Sequence, residues 1–255
     1  MDASRYSRLT LVERVDFSKE LAVFRLKADE PVDFTPGQYA TIGLKNDDDD
    51  RPLLRPYSVV SAPGKTKLEF FIERVDEGDL TPQLWDLEQG AELWMRDKIV
   101  GRLTLDSSRT HHFMAATVTG VGPYVSIVRD QLRALRDGVL DAPQPMLVLH
   151  GASRSWELGT YLDELTSLAE QFDWFEYVPT VSCPWEDPDW DGECGRVEDV
   201  LRKYLDAVSF APGDTAAYTC GHPQMIEKAQ GIFQRAGVPE DAIHEEKYFV
   251  QRNGA

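Results

Sequence analysis

Apolar and polar residues alternate with a period of two from Leu9 to about Leu105, in short runs divided by turn signals. LTLVERV, LAVFRLKA, QYATIGL, YSVVSA, KLEFFIERV and ELWMR each read as a strand with one buried face, and Pro36-Gly37 and Pro63-Gly64 mark turns between them. Six short strands at this spacing predict an antiparallel six-stranded β-barrel. The acidic run Asp47 to Asp50 interrupts them and reads as a solvated hairpin loop. Thr81 to Glu88, with Pro82 in its first turn, predicts one helix inserted before the last strands.

Beyond Asp106 the rhythm changes to strand, glycine turn, helix. HHFMAATVTGVG runs into a helical YVSIVRDQLRALRDG, and PMLVLHGAS into SWELGTYLDELTSLAEQF. FEYVPTVS is a third strand, VEDVLRKYL a helix, and TAAYTCGHP opens a last helix, PQMIEKAQGIFQRAG. Strands alternating with helices of this length predict an α/β, doubly wound parallel sheet. Ligands of such sheets bind at the carboxyl ends of the strands, where this half carries Thr119-Gly120, Gly151 to Arg154, Ser182 and Cys220-Gly221. Two domains are expected, 1–106 and 107–255.

Composition narrows the function. The chain of 255 residues, 42% hydrophobic, has no apolar run near the roughly 20 residues that span a bilayer. Its first residues do not resemble a signal peptide, so a cytoplasmic location is expected, with no membrane partner. Cys183, Cys194 and Cys220 show no CxxC spacing, and the five histidines no ligand spacing, so no metal site is expected and all five histidines read as structural or surface residues. A net charge of −17 argues against nucleic acid as a partner. Residues 1–105 carry 15 Lys and Arg against 20 Asp and Glu, and the rest 12 against 24, so an acidic protein partner should dock on the front half. The same acidity also serves plain solubility.

The run RPYSVVSAP places Arg55, Pro56, Tyr57 and Ser58 at the end of an alternating stretch. A guanidinium, an aromatic ring and a hydroxyl so spaced suit a flavin nucleotide: the cation for the pyrophosphate, the ring against the isoalloxazine, the hydroxyl near its reactive nitrogen. Four such residues also occur by chance on surface strands. Their order with other segments decides the matter: Pro36 to Gln38, Arg55 to Ser58, LEFFIERV followed by Gly78 and Thr81, Ala116 to Tyr124, Leu147 to Gly151, Gly195-Arg196, Cys220 to Pro223 and a final EKYFV.

With these motifs in that order, the chain resembles the ferredoxin-NADP reductase family, in its bacterial flavodoxin/ferredoxin branch, over almost its whole length. The resemblance implies FAD on the barrel and NADP(H), with NAD(H) also open, on the sheet domain, the two rings meeting between them. Arg55, Pro56, Tyr57 and Ser58, the backbone around Ile72, Arg74 and Val75, and Thr81 with its helix start would bind FAD. Thr119, Gly120 and the Cys220-Gly221 turn would hold the pyridine nucleotide, with Arg154 and Arg196 as a partial clamp on its 2′-phosphate. Ser58, Cys220 and Glu246 are the candidate catalytic residues. Phe249, with Tyr248 as the alternative, would cover the second flavin face, and the two residues also suit a chain end anchored in a core.

Two positions depart from the family pattern. Val118 stands where the family's turn usually has glycine, and a β-branched residue disfavours positive φ and close backbone approach. Cys183 follows Ser182 where many relatives have an arginine. The implied activity is electron transfer between NADP(H) and a one-electron carrier, ferredoxin or flavodoxin, by a monomer. The alternatives are the reductase component of an oxygenase and a non-catalytic flavin-binding subunit.

Overall fold

The computed structural model describes residues 6–45 and 52–247, and the structural statements below concern these. The run Asp47 to Asp50 and the ring candidates Tyr248 and Phe249 lie outside the described residues. Two compact units emerge, one of residues 1–105 with 122–143, the other of 106–121 with 144–255.

In the first unit, β1 (Tyr6–Asp16), β2 (Leu21–Val32), β3 (Tyr39–Leu44), β4 (Leu53–Ser58), β5 (Lys65–Glu73) and β6 (Glu92–Arg96) form one antiparallel sheet in the order β4-β3-β6-β1-β2-β5. Just past β4 the Val60 N–H donates to the Glu69 carbonyl on β5 at 2.9 Å, so the outermost strands meet and the sheet closes as a barrel. Alternate residues such as Leu9, Phe24, Ile42, Phe70 and Met95 fill it. β4 covers LLRPYS rather than the expected YSVVSA. Pro56 is tolerated because β4 is an edge strand, and the chain leaves the ladder after Ser58 to bury Val59 and Val60 completely.

The inserted helix α1 spans Thr81–Trp85 and stops short of Glu88, where the chain turns through Gly90 at φ 95°. The longer α2 (Gly122–Arg136) belongs to this unit. Its Ser126 hydroxyl donates to the Ser61 carbonyl at 2.9 Å and its Arg133 Nη1 to Pro63 O at 3.0 Å. Arg129 on the same face reaches Glu69 Oε1 at 2.9 Å, and Arg25 of β2 meets Glu69 Oε2 at 2.8 Å. Burial works against the charge on Glu69, but the two arginines outweigh it and hold its carboxyl below the usual range.

In the second unit, β7 (His111–Thr117), β8 (Met146–Ala152), β9 (Phe175–Val181), β10 (Glu193–Cys194), β11 (Thr215–Gly221) and β12 (Ile243–Lys247) make a parallel sheet in the order β10-β9-β8-β7-β11-β12. Helices α3 (Tyr161–Gln171), α4 (Val197–Ala207) and α5 (Pro223–Arg235) connect its strands. The expected helix from Ser155 is split: a 3-10 turn over Ser155–Leu158 ends at Gly159, φ 64°, before α3 starts. β10 is two residues long and β12, IHEEK, is mostly polar, so neither carries a strand pattern in sequence. The strand order reverses between β7 and β11, which puts the ligand crevice of a doubly wound sheet at their carboxyl ends. Among the described residues no helix is long and apolar enough to cross a membrane.

Candidate cofactor sites

On β4, Arg55 and Tyr57 stand two residues apart and so on one face, while Ser58 is turned to the other. Arg55 is exposed; its Nη1 donates to Leu54 O at 2.9 Å and its Nη2 lies 3.3 Å from Asp79 Oδ2. That surface pair is loose, and an anion offering two oxygens can displace it. Tyr57 is half-buried, packed against the barrel core. Burial raises its hydroxyl above the ordinary phenol range, against the pull of Arg55, so the ring is neutral. A cation and a flat apolar ring side by side on an edge strand fit a nucleotide phosphate joined to a planar heterocycle. Ser58 is buried behind them.

The following loop differs in detail from the sequence reading. Thr81 Oγ1 donates to Val75 O at 3.0 Å and accepts from Val75 N at 2.9 Å, so its hydroxyl closes the 75–81 loop. Thr81 therefore shapes the loop through Val75. Ile72 is buried in the barrel core, leaving its backbone as the part that a cofactor could meet. Arg74 pairs with Asp76 at 2.9 Å and lines, with Arg14, Lys19 and Trp85, an open depression of about 380 Å³. Val75 is exposed.

In the second unit the two strand ends at the crevice touch through backbone. A Cβ on Gly120 would sit 2.4 Å from the Cys220 carbonyl oxygen, and one on Gly221, φ 120°, would sit 2.2 Å from Thr117 Oγ1. Glycine alone fits both places. Thr117 Oγ1 also accepts from His222 N at 2.8 Å, joining the end of β7 to the residue after β11. The result is a tight seam that seats the 118–121 turn directly against the end of β11, at the switch-point crevice where sheets of this kind receive a dinucleotide's phosphates. Cys220 is fully buried, and the register sets it between Ala116 and the half-buried Glu246, so the two candidate catalytic residues of this unit share one face of neighbouring strands.

Val118 takes the conformation that its side chain disfavours: φ is 44°, the one positive value at a non-glycine among the described residues. For a β-branched residue this costs about 1–2 kcal/mol. Its carbonyl accepts from Nε2 of His150 at 2.9 Å, and the other ring nitrogen of His150 lies 3.0 Å from the Tyr177 hydroxyl. His150 is fully buried, which pushes its pKa down to about 4 despite the bond to Val118 O. A neutral imidazole that donates from Nε2 accepts at Nδ1, so the proton of this second bond comes from Tyr177. Nothing in the histidine spacing signals this pair; the β8–β9 register brings it together.

Arg154, expected as half of a phosphate clamp, is already engaged. Its guanidinium bonds to Glu186 through Nε at 2.8 Å and through Nη2, and to Glu157 through Nη1 at 3.0 Å. Glu157 Oε2 also accepts from the backbone N–H groups of Ser153 and Arg154 at 2.8 and 3.1 Å. Glu157, three residues after Arg154, is legible as a capping residue, whereas Glu186 is 32 residues away and is not. Arg196 is exposed at the start of α4.

Two family models match the chain: an oxidoreductase FAD-binding domain over residues 8–98 and an oxidoreductase NAD-binding domain over residues 114–231. A ferredoxin-NADP reductase from Pseudomonas aeruginosa is 29% identical over 86% of this chain and 88% of its own. One from Azotobacter vinelandii is 28% identical over 94% and 98%. Among solved structures, a ferredoxin NADP+ reductase from Neisseria gonorrhoeae with bound FAD and NADP superposes with a TM-score of 0.81 over 96% of this chain and 99% of that one, at 21% identity.

Proposed function

We propose that this chain, which belongs to the ferredoxin-NADP reductase family, is an FAD-dependent oxidoreductase that moves electrons between a nicotinamide dinucleotide and a one-electron protein carrier. The observation that carries the reading is the close glycine contact of the β7 and β11 ends at the switch point of the parallel sheet, in a chain whose barrel offers Arg55 and Tyr57 on one edge-strand face. When bound, FAD supplies the conversion between a two-electron hydride and single electrons.

The protein's part is placement. Arg55 would hold the FAD pyrophosphate, Tyr57 would flank the isoalloxazine, and the 72–75 backbone with the Thr81-closed loop would border the cofactor. Thr119, Gly120 and Gly221 receive the dinucleotide's phosphates, and Cys220 beside Glu246 borders the nicotinamide. Ser58 on the barrel unit and Cys220 on the sheet unit are small side chains, each leaving room for a ring held on its own unit. Around the depression Arg14 pairs with Asp16 at 3.0 Å and Arg74 with Asp76 at 2.9 Å. These two arginines with Lys19 are the cations this rim offers an acidic carrier such as a ferredoxin or flavodoxin, which would compete with the two aspartates.

An absorbance spectrum before and after anaerobic NADPH or NADH tests the reading, followed by titration with oxidised ferredoxin and flavodoxin. Bleaching of a yellow protein by reduced nucleotide and its return on adding a carrier are expected. A colourless protein, or a yellow one that neither nucleotide bleaches, refutes the enzyme. Reoxidation by neither carrier refutes the assigned partner.

A further inference from the structure

Val118 keeps φ at 44° although it is β-branched, so a partner outside the residue has to hold it there. That partner is His150, whose Nε2 reaches the Val118 carbonyl at 2.9 Å from the fully buried interior of the sheet unit. Tyr177 in turn fixes the ring from the neighbouring strand at 3.0 Å. The peptide between Val118 and Thr119 is trans, as are all described peptide bonds, so its carbonyl and its N–H point to opposite sides. With the oxygen drawn inward onto His150, the opposite edge of this peptide faces away from the histidine. Release of Val118 to negative φ would swing the oxygen off His150 and turn a partial negative charge toward any anion seated on the turn.

We propose that His150, oriented by Tyr177, is a positioning residue for the dinucleotide: it locks the Val118–Thr119 peptide with its carbonyl turned away from the phosphate subsite. The inference rests on placing that subsite at the Thr119–Gly120 turn. In this chain the anchor does what a glycine at position 118 would do without help, since glycine holds positive φ at little cost.

The test uses the FAD-loaded protein and the unreactive ligands NADP+ and NAD+, with Kd read from flavin difference spectra. His150→Phe removes both ring hydrogen bonds and should raise Kd about tenfold with the flavin spectrum unchanged; kcat at saturating nucleotide should fall less than kcat/KM. His150→Gln, which keeps a donor and an acceptor, should recover most of the loss, and Tyr177→Phe should lose about threefold. The deciding variant is Val118→Gly with His150→Phe, expected to bind within about twofold of Val118→Gly alone because nothing is left to hold. An unchanged Kd in His150→Phe, or a loss that Val118→Gly fails to remove, overturns the proposal.

Two readouts need no ligand: the imidazole 15N signals of His150 should report the neutral, Nε2-protonated ring from pH 5 to 8, and His150→Phe should speed exchange of the Thr119 amide. A protonated or Nδ1-protonated ring overturns the proposal, as does unaltered exchange. A wild-type protein that binds neither nucleotide refutes the proposed function instead, and these two readouts then still decide what His150 does.

Discussion

Gly120→Ala asks whether the contact of the two strand ends sets the rate. The new Cβ would lie 2.4 Å from Cys220 O, 2.7 Å from Cys220 C and 3.0 Å from Gly221 Cα, all backbone atoms that cannot rotate away. Ordinary contact begins at 3.4 Å, so the turn and the end of β11 must part by 1.0 Å, the difference between 3.4 and 2.4. Overpacking of this size costs about 1–3 kcal/mol of stability. Its effect on chemistry is larger in relative terms, because a misplacement of about 1 Å slows an aligned reaction about 100-fold, or about 2.7 kcal/mol of barrier. The residues proposed to hold FAD lie in the other compact unit, so the flavin spectrum should be retained. Stopped-flow reduction by NADPH and NADH, with a thermal melt on the same sample, measures both effects. A reduction rate within twofold of wild type would refute the argument that backbone contact at Gly120 positions the nucleotide, whatever the melt shows.

Three further outcomes follow from the same geometry. Glu69→Gln should cost the barrel unit about 1–3 kcal/mol at pH 7, the range for a hydrogen bond to a charged group. The carboxyl's folded pKa is depressed, so its contribution is fully present above the unfolded value of about 4.5 and disappears as pH falls through the folded value; melts of wild type and variant should converge in acid, and a gap independent of pH would refute the ion-pair account. Glu186→Gln removes one of the two carboxylates that engage Arg154, leaving Glu157, and so makes the guanidinium more available to a 2′-phosphate. It should raise kcat/KM for NADPH about fivefold, an effect of about 1 kcal/mol, while NADH stays within twofold; equal gains for both nucleotides would remove Arg154 from phosphate recognition. Ser58→Ala and Cys220→Ala should each slow flavin reduction with FAD still bound, and unchanged rates in both variants would take the two side chains out of hydride transfer.

Elements whose burial follows a simple period were legible in the chain. The strands of the barrel and the amphipathic helices bury one face, so their hydrophobic spacing carries their identity, while the central strands of the parallel sheet are buried on both faces and read as short apolar runs ended by glycine turns. What failed was local: β4 shifted because Val59 and Val60 are buried outside any ladder, and β10 and β12 form at a sheet edge where pairing with a neighbour, rather than their own pattern, makes them strands. Within each of the arginine-aromatic and glycine motifs the residues lie a few positions apart, and the chemistry of those residue types announced the cofactors.

The sequence alone thus determined the two-domain plan, the family resemblance and the segments proposed to carry the site, because these depend on local period and on short motifs. Only the tertiary structure decided which of those residues remain available. It spent the Thr81 hydroxyl on Val75, enclosed Arg154 between two carboxylates, put Cys220 beside Glu246, and tied strained Val118 to a buried histidine on the next strand. Each of these pairings except that of Thr81 with Val75 joins atoms far apart in the chain or settles a competition between partners, and hydrogen bonds and ion pairs act over a few ångströms of space rather than along the sequence.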